Sequence, residues 1–486
     1  MTPHYDVAVV GFGPVGVALS GLLARRGLRV LAIDRDTDIF PLPRAAHLDA
    51  EVMRILQDLG CADTITPALL TNQGMDFVTA DRQVLLSMRS PAQARSGWPP
   101  SSFFFQPNVE RPMRDAAAAH GASLRLGVEV VSVHDDGNLV HLDLADGSSV
   151  SATFVVGCDG ARSSVRKHLG VTMHDLQFEE PWLVLDLLLH DGTPLPTEVA
   201  LQVCDPARPH TLVPMPPPRF RFEFMLLPGD DPVQIASDGA ARELLSAWLD
   251  PSGVTIERSA VYTFHGLIAH RWRQGRVLLA GDAAHQMPPF LGQGMCSGIR
   301  DAANLAWKLE RVVLGGAPIE LLDTYQAERE PHVRTIVESA VGFGRLICTT
   351  DAAVAAERDR NMLAARAAGG GNAGGSGGPP LPEGPLVAAG GRTALQPEAD
   401  GIRLDDLLGP GFGVLLRTRQ HASADALGFW LEQGAVVLDA ETNPAVGTVL
   451  DDLDADAAVL RPDRYVLWVG AALSGVTDEV ASLLTR

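Results

Sequence analysis

Three glycines, Gly11, Gly13 and Gly16, stand in a G-x-G-x-x-G spacing directly after a β-branched run, Val7-Ala8-Val9-Val10. An apolar helical stretch follows from Val15 to Ala24, and a second β-branched run ends at Asp34. Strand, glycine turn, helix and strand in that order predict a βαβ unit that binds a dinucleotide. Gly11 allows the tight turn out of the strand. Gly13 lets the backbone come close to a pyrophosphate, and Gly16 lets the helix pack on the sheet. The pyrophosphate would sit on the free N–H groups at the helix start. Asp34, 18 residues after Gly16, is placed to accept hydrogen bonds from ribose hydroxyls.

Two further segments follow the same logic. Gly157-Cys158-Asp159-Gly160 and Gly281-Asp282-Ala283-Ala284-His285 each come after a β-like run. Open α/β sheets bind ligands where their strands end, so three such ends predict one crevice. Asp282 could accept hydrogen bonds from a polyol chain there. The turn Gly292-Gln293-Gly294-Met295 opens a long helical pattern, whose first N–H groups and positive dipole end suit an electron-rich ring edge. The apolar loop Met287-Pro288-Pro289-Phe290-Leu291 just before it could keep water from a reactive intermediate. For proton transfer the candidates are Tyr262 and His265, with His47 and His210 behind them. A carboxylated substrate would want an arginine. Arg208, Arg219 and Arg221 lie in a β-rich stretch, where a solvated sheet face is the competing account. The sequence holds no metal-spaced cluster, carboxylate pair or Ser/His/Asp set.

These residues need a scaffold of two or three domains, which 486 residues allow. Residues 1–175 and 265–348 are expected to form a discontinuous α/β cofactor domain. Residues 176–264 read as a β-rich substrate domain, which 71–100 could join. Helical patterns fall near Leu48–Leu59, Val109–His120, Cys296–Leu314 and Ile319–Cys348. Glycine and proline dominate much of 366–391, which reads as a flexible linker to a last domain over 392–486. A net charge of −20 argues against nucleic acid and anionic membrane as partners. No stretch of 18 apolar residues predicts a membrane span. Five scattered cysteines without a C-x-x-C pair fit a reduced, cytoplasmic protein. The N-terminus enters a strand within five residues, leaving no room for a signal peptide.

The glycine turn, Cys158-Asp159-Gly160 and Gly281-Asp282 occur in the order seen in class A flavoprotein aromatic hydroxylases, which the chain resembles over roughly residues 1 to 345. Pro43-Arg44-Ala45, Gln106-Pro107-x-x-Glu110 and the run from Gly292 to Leu309 resemble, more narrowly, the 3-(3-hydroxyphenyl)propionate hydroxylase group. Tyr325-Gln326-x-Glu328-Arg329 and Arg461-Pro462-Asp463-Arg464-Tyr465 fit the same phenol-hydroxylase-like group. The resemblance implies a Rossmann-like FAD-binding domain with an inserted β-sheet substrate domain and a C-terminal thioredoxin-like domain. It implies bound FAD, NADH or NADPH as a transient co-substrate, and O2.

Carried over by motif, Gly11, Gly13, Pro14 and Gly16 hold the pyrophosphate, and Asp34 with Arg35 the adenosine end. Arg44 and Gln106 contact the FAD, Asp159 shapes a surface shared with the nicotinamide, and Asp282 holds the ribityl or pyrophosphate region. Pro289 and Gly292 belong to the loop whose Gly294 and Met295 N–H groups face the flavin ring. The implied reaction is ortho-hydroxylation, by a flavin hydroperoxide, of a phenol resembling 3-hydroxyphenylpropionate. Tyr262 and His265 would be its proton acceptors and Arg219 and Arg221 its carboxylate partners. A hydroxylase of polycyclic polyketide phenols is the alternative; a non-enzymatic flavin-binding redox sensor ranks below it, having no use for a substrate domain. The partner is a small aromatic substrate, and a homodimer is a candidate assembly. Departures from the pattern are Phe290-Leu291 before Gly292, Glu330 where arginine is frequent, and a last domain without cysteine.

Overall fold

The computed structural model describes residues 4–91, 93–374 and 378–485. Its first unit is β1 (His4–Val10), α1 (Pro14–Arg25) and β2 (Val30–Asp34). Gly11 sits at φ +98°, and a Cβ there would lie 2.5 Å from the Cys158 carbonyl oxygen. A Cβ on Gly16 would lie 1.9 Å from the Gly11 oxygen, so the helix can approach the turn only without side chains. Next comes α2 (Ala50–Leu59), capped by the Asp49 carboxylate, which accepts from the Val52 N–H. A hairpin of β3 (Gly74–Val78) and β4 (Val84–Arg89) leads to α3 (Gln106–Ala119), and β5 (Ser149–Gly157) returns to the first sheet.

A second sheet forms from β6 (Met173–Leu189), β7 (Ala200–Val203), β8 (His210–Pro214), β9 (Arg219–Met225) and β10 (Val254–Ala269). The short β11 (Val277–Leu279) then re-enters the first sheet, parallel to β5. In that sheet β1 lies between β5 and β2, parallel to both. Val10 sits opposite both Ile33 and Gly157, and Gly157 opposite Leu279. Gly11, Asp34, Cys158 and Ala280 therefore leave the sheet along one edge.

The second sheet reaches beyond 176–264. β3 pairs with β7, β4 with β3, residues 285–286 with β10, and residues 372–374 with β4. The expected linker over 366–391 is correspondingly packed on both sides of residues 375–377, which lie outside the described residues. Its start completes a helix that runs to Ala367, and Leu381, Leu386 and Val387 are buried.

The helices α4 (Gly294–Val313) and α5 (Asp323–Ile347) cover the first sheet. On α4, Arg300, Asn304 and Lys308 recur every four residues, so they share one face, and all are buried. Arg300 pairs with Asp49 and Glu51 at the start of α2, and the other two meet α5 and the last domain. Asn304 donates to Glu328 at 2.7 Å; Lys308 and Arg461 pair with the same carboxylate, each at 2.9 Å. Trp307 packs edge-on against Phe412, which meets Trp430. The last domain has strands β12 (Gly413–Leu416), β13 (Val436–Asp439), β14 (Ala457–Leu460) and β15 (Val466–Gly470) in the order β13-β12-β14-β15. A helix over Ala424–Glu432 links the parallel pair β12 and β13. The whole is a mixed α/β fold.

Burial alone would raise the Glu328 carboxyl, but Arg461 and Lys308 outweigh it and hold the group down at about 2. A depressed carboxylate contributes stability above its unfolded value of about 4.3, and that contribution is lost as pH falls toward the folded value. Glu328→Gln would leave the buried Lys308 without its counter-ion and Arg461 with Asp463 alone, and should cost about 3–5 kcal/mol at neutral pH. Urea unfolding at pH 7 measures this. The variant should also lose part of the stability change seen between about pH 4.3 and 2.

Candidate active site

The groove at the sheet edge is built by two helix N-termini that no side chain caps. α1 starts after Gly13 and α4 after Gln293, each without a side-chain cap hydrogen bond. They lie side by side: a Cβ on Gly298 of α4 would meet Val15 of α1 at 2.4 Å, and one on Gly281 would meet the same side chain at 3.0 Å. A Cβ on Gly13 would meet nothing within 4 Å. Free N–H groups beside open space suit an anion. Asp34 closes one end: its carboxylate accepts from the Phe12 N–H at 2.5 Å and the Asp36 N–H at 2.8 Å. Arg35 lies exposed just beyond it.

Asp282 points into the groove, exposed to solvent yet walled by protein. The protein packed around it desolvates its carboxyl and pushes it up, against the pull of His285 and Arg44. Behind it, Asp301 of α4 fixes the turn. Its carboxylate accepts from the Gly281 N–H at 3.1 Å and from Arg329 at 2.9 Å, and meets the His285 ring at 2.6 Å. Arg166 donates to the carbonyls of Ala283 and Ala161, tying the Asp159 and Asp282 loops together. At the far end Gly292 takes φ +64° against the His47 ring, and Pro289, Gly294 and Met295 are half-buried beside it. His47 is held between Ser101 and the Gly292 carbonyl, and burial lowers its basicity. It shapes the turn and is no free base.

Several expected roles change. The Asp159 carboxylate accepts from Ser163, from both the N–H and the hydroxyl of Ser164, and from the Val165 N–H, so it caps a short helix. Gln106 is buried: its oxygen accepts from the Arg44 and Ala45 N–H groups, and its nitrogen donates to Glu110. It acts on the groove through Arg44, which is itself exposed and lies over Phe40. Tyr262 and His265 project from opposite faces of β10, because side chains alternate along a strand. Only Tyr262 shares the groove-side face, opposite Trp182. His210 sits between Trp248 and the Arg208 carbonyl.

The groove-side face of the second sheet carries a buried charge cluster. Asp186 of β6 lies opposite Arg221 of β9 and Arg258 of β10. Arg221 pairs with it at 2.8 Å and Arg258 at 2.6 Å. Both arginines also donate to the Pro43 carbonyl, and Arg221 to that of Arg44. Arg219 pairs with Glu257 at 3.0 Å and stacks on Phe105; Arg208 pairs with Asp230. The three arginines read as solvated or carboxylate-binding are thus committed, and Arg221 is buried. A wall of Trp182, Phe264 and Phe290 closes this face toward the Pro289–Leu291 turn. Asp186 and Arg258 went unnoticed in the sequence, although a lone acid inside Trp182-Leu183-Val184-Leu185-Asp186-Leu187 is the mark of a buried pair.

A groove with two open helix N-termini, an acid at one end, a second acid along it and a walled sheet beside it has the chemistry of a site for a flavin dinucleotide. Residues 4–340 match the FAD_binding_3 family, described as FAD binding domain. The chain belongs to that family and is an FAD-dependent aromatic monooxygenase. It is similar, at 38% identity over 98% of this chain and 94% of the relative, to a Rhodococcus jostii protein named "Probable NADH-specific resorcinol 4-hydroxylase". It is 36% identical to a Mycolicibacterium smegmatis 3-(3-hydroxy-phenyl)propionate/3-hydroxycinnamic acid hydroxylase, over 99% of this chain and 92% of the relative. Among solved structures it matches the anhydrotetracycline hydroxylase OxyS from Streptomyces rimosus, with a TM-score of 0.78, 25% identity and 99% of both chains covered. No helix among the described residues is long and apolar enough to cross a membrane, and no group among them could hold a metal ion.

Two substitutions test the groove. Asp282→Ala removes a carboxylate acceptor and should weaken FAD retention about 10- to 100-fold, read from release of flavin fluorescence. Gly13→Val fills the open space at an extended backbone position. It should leave the thermal unfolding of the apoprotein nearly unchanged while abolishing FAD uptake.

Proposed function

We propose that the protein is an NADH-dependent hydroxylase of a small, uncharged phenol of the resorcinol type, adding oxygen ortho to a ring hydroxyl. The observation that carries this is the charge balance of the substrate-facing sheet. Arg221 and Arg258 share Asp186 and have a second acid, Glu223, beside Arg221, and Arg219 pairs with Glu257, so acids and arginines match in number. Among the described residues, no arginine of that face is left to bind a carboxylate. What the face offers is hydrogen-bonding groups, Tyr262, Thr211 and Gln202, among aromatic walls. The name of the Rhodococcus relative supports both the coenzyme and the ring.

The groove residues would hold FAD, with its pyrophosphate on Gly13 and α1, its polyol chain near Asp282 and its ring edge at Gly294 and Met295. Once reduced by NADH, FAD supplies the activated oxygen atom. The chain's part is to bind, orient and exclude water. The α4 N-terminus stabilises negative charge at the ring edge. The Pro289–Leu291 turn and the Trp182–Phe264–Phe290 wall keep the site dry. We read residues 74–89 and 173–269 as the substrate domain. The last domain, by its strand order, is thioredoxin-like, and without cysteine it serves as structure or as a dimer contact.

The acid reading, ortho-hydroxylation of a 3-hydroxyphenylpropionate-like substrate, remains the competitor because relatives carry that name. NADH oxidation with a panel of phenols separates the two. Resorcinol should stimulate it with one hydroxylated product per NADH, and kcat/KM should exceed that for 3-(3-hydroxyphenyl)propionate by about tenfold or more, the cost of an unpaired charge in a neutral pocket. The reverse preference sinks the neutral-substrate reading.

A further inference from the structure

One carboxylate on the substrate-facing sheet has no partner that explains it. Glu223 lies on β9, two residues from Arg221 and on the same face. It sits opposite Val184 on β6 and Thr211 on β8. Thr211 donates to Gln202, and the Gln202 amide reaches the Phe290 carbonyl at 3.5 Å. Glu223 is thus in the row between the arginines that hold Pro43 and Arg44 and the aromatics that meet Phe290. It is 5% exposed, and its nearest cation, Arg221, stands 3.7 Å away, beyond hydrogen-bond reach. A buried carboxylate without a hydrogen bond is costly unless something else supplies one. The other groups facing it are Asp186, Arg258 and Tyr262, all engaged with the same cluster.

We propose that Glu223 receives the substrate's ring hydroxyl, accepting its hydrogen bond and taking its proton as the ring is hydroxylated. The step balances. The substrate O–H bond breaks, and its electron pair moves through the oxygen into the ring. The ortho carbon bonds to one atom of O2, the O–O bond breaks, NADH supplies the two electrons, and the other oxygen atom leaves as water. The phenol proton passes to the carboxylate, which returns it to the same ring oxygen as the hydroxylated carbon loses its C–H proton to water. Burial, which outweighs the nearby Arg221, raises this carboxyl, making it a better acceptor than an exposed glutamate. Glu223 also completes the charge balance. Asp186 and Glu223 against Arg221 and Arg258 sum to zero, and removing one carboxylate leaves the face with net charge +1.

This inference rests on the proposed hydroxylase activity, and the test separates the two. Holoenzyme and Glu223→Gln are compared for FAD content, NADH oxidation, product per NADH and pH profile, with resorcinol and with 3-(3-hydroxyphenyl)propionate. The variant should keep its FAD. Product per NADH with resorcinol should fall at least about tenfold, with peroxide released instead, and the acid limb of the kcat/KM profile should disappear. The resorcinol-to-propionate ratio of kcat/KM should shift at least about tenfold toward the carboxylated phenol, which a merely structural glutamate would not cause. Glu223→Asp, which keeps the charge, should preserve the acid limb and the substrate ratio, and it serves as the probe should Glu223→Gln not fold. A Gln variant within twofold of wild type in coupling, ratio and acid limb overturns the role of Glu223 while leaving the hydroxylase reading intact. A wild-type enzyme that hydroxylates no phenol overturns both.

Discussion

The carboxylate of Asp186 is the contact on which the geometry of the active site turns. Two guanidinium groups in a dry sheet face would repel one another and stay hydrated unless a shared anion held them. With Asp186 between them, Arg221 and Arg258 can be buried and still present donors to the far side. Those donors take the carbonyls of Pro43 and Arg44. From the opposite direction Gln106 takes the N–H groups of Arg44 and Ala45. The loop that carries Arg44 is therefore clamped on both polar sides of its backbone, and the substrate sheet is set in register against the cofactor groove. Spacing between two sheets drawn from distant parts of the chain is fixed by these few charge-assisted bonds.

A second polar network does similar work along α4. Its Arg300, Asn304 and Lys308 ridge is polar but dry, because the start of α2 supplies Asp49 and Glu51 to Arg300 and α5 supplies Glu328 to Asn304 and Lys308. Tyr465 donates to Glu51, which pairs with Arg300. The helix whose first turn opens on the groove is thus gripped along its length by α2, α5 and the cysteine-free last domain. Burial pushes the Lys308 ammonium down to about 8 despite Glu328, a measure of how little water reaches this seam.

Local chemistry made part of this legible in the sequence. The turn at Gly11–Gly16, the acids at Asp34 and Asp282 and the helix start at Gly294 follow from short-range steric and dipolar rules, so spacing alone located them. The sheet assignment of residues 74–89 was half visible, since alternation marks a strand but not its neighbour. The hydrogen-bond partners of Asp159 lie in its own loop and those of Gln106 about sixty positions away, and spacing discloses neither set. Arg221 was misread as solvated because the pattern Arg-Phe-Arg-Phe-Glu-Phe alternates just as an exposed strand does. Its burial depends on a second surface, the Pro43–Arg44 loop, more than 170 positions away. The same holds for Tyr262 and His265. Three residues apart, they fall on opposite faces, and only pairing with Trp182 says which face is inward.

The internally neutralised sheet face has a kinetic side as well. The molecule as a whole carries a charge of −20, so any anion approaching it climbs a repulsive field that weakens with ionic strength. A pocket with a spare cation would offset that field at short range; this one does not. A neutral ring diffuses in at a rate that salt leaves alone, whereas the anionic coenzyme and any carboxylated competitor are slowed on the way, most strongly in dilute buffer. On the proposed reading, discrimination in favour of uncharged rings would begin at encounter, before a single contact inside the site is made.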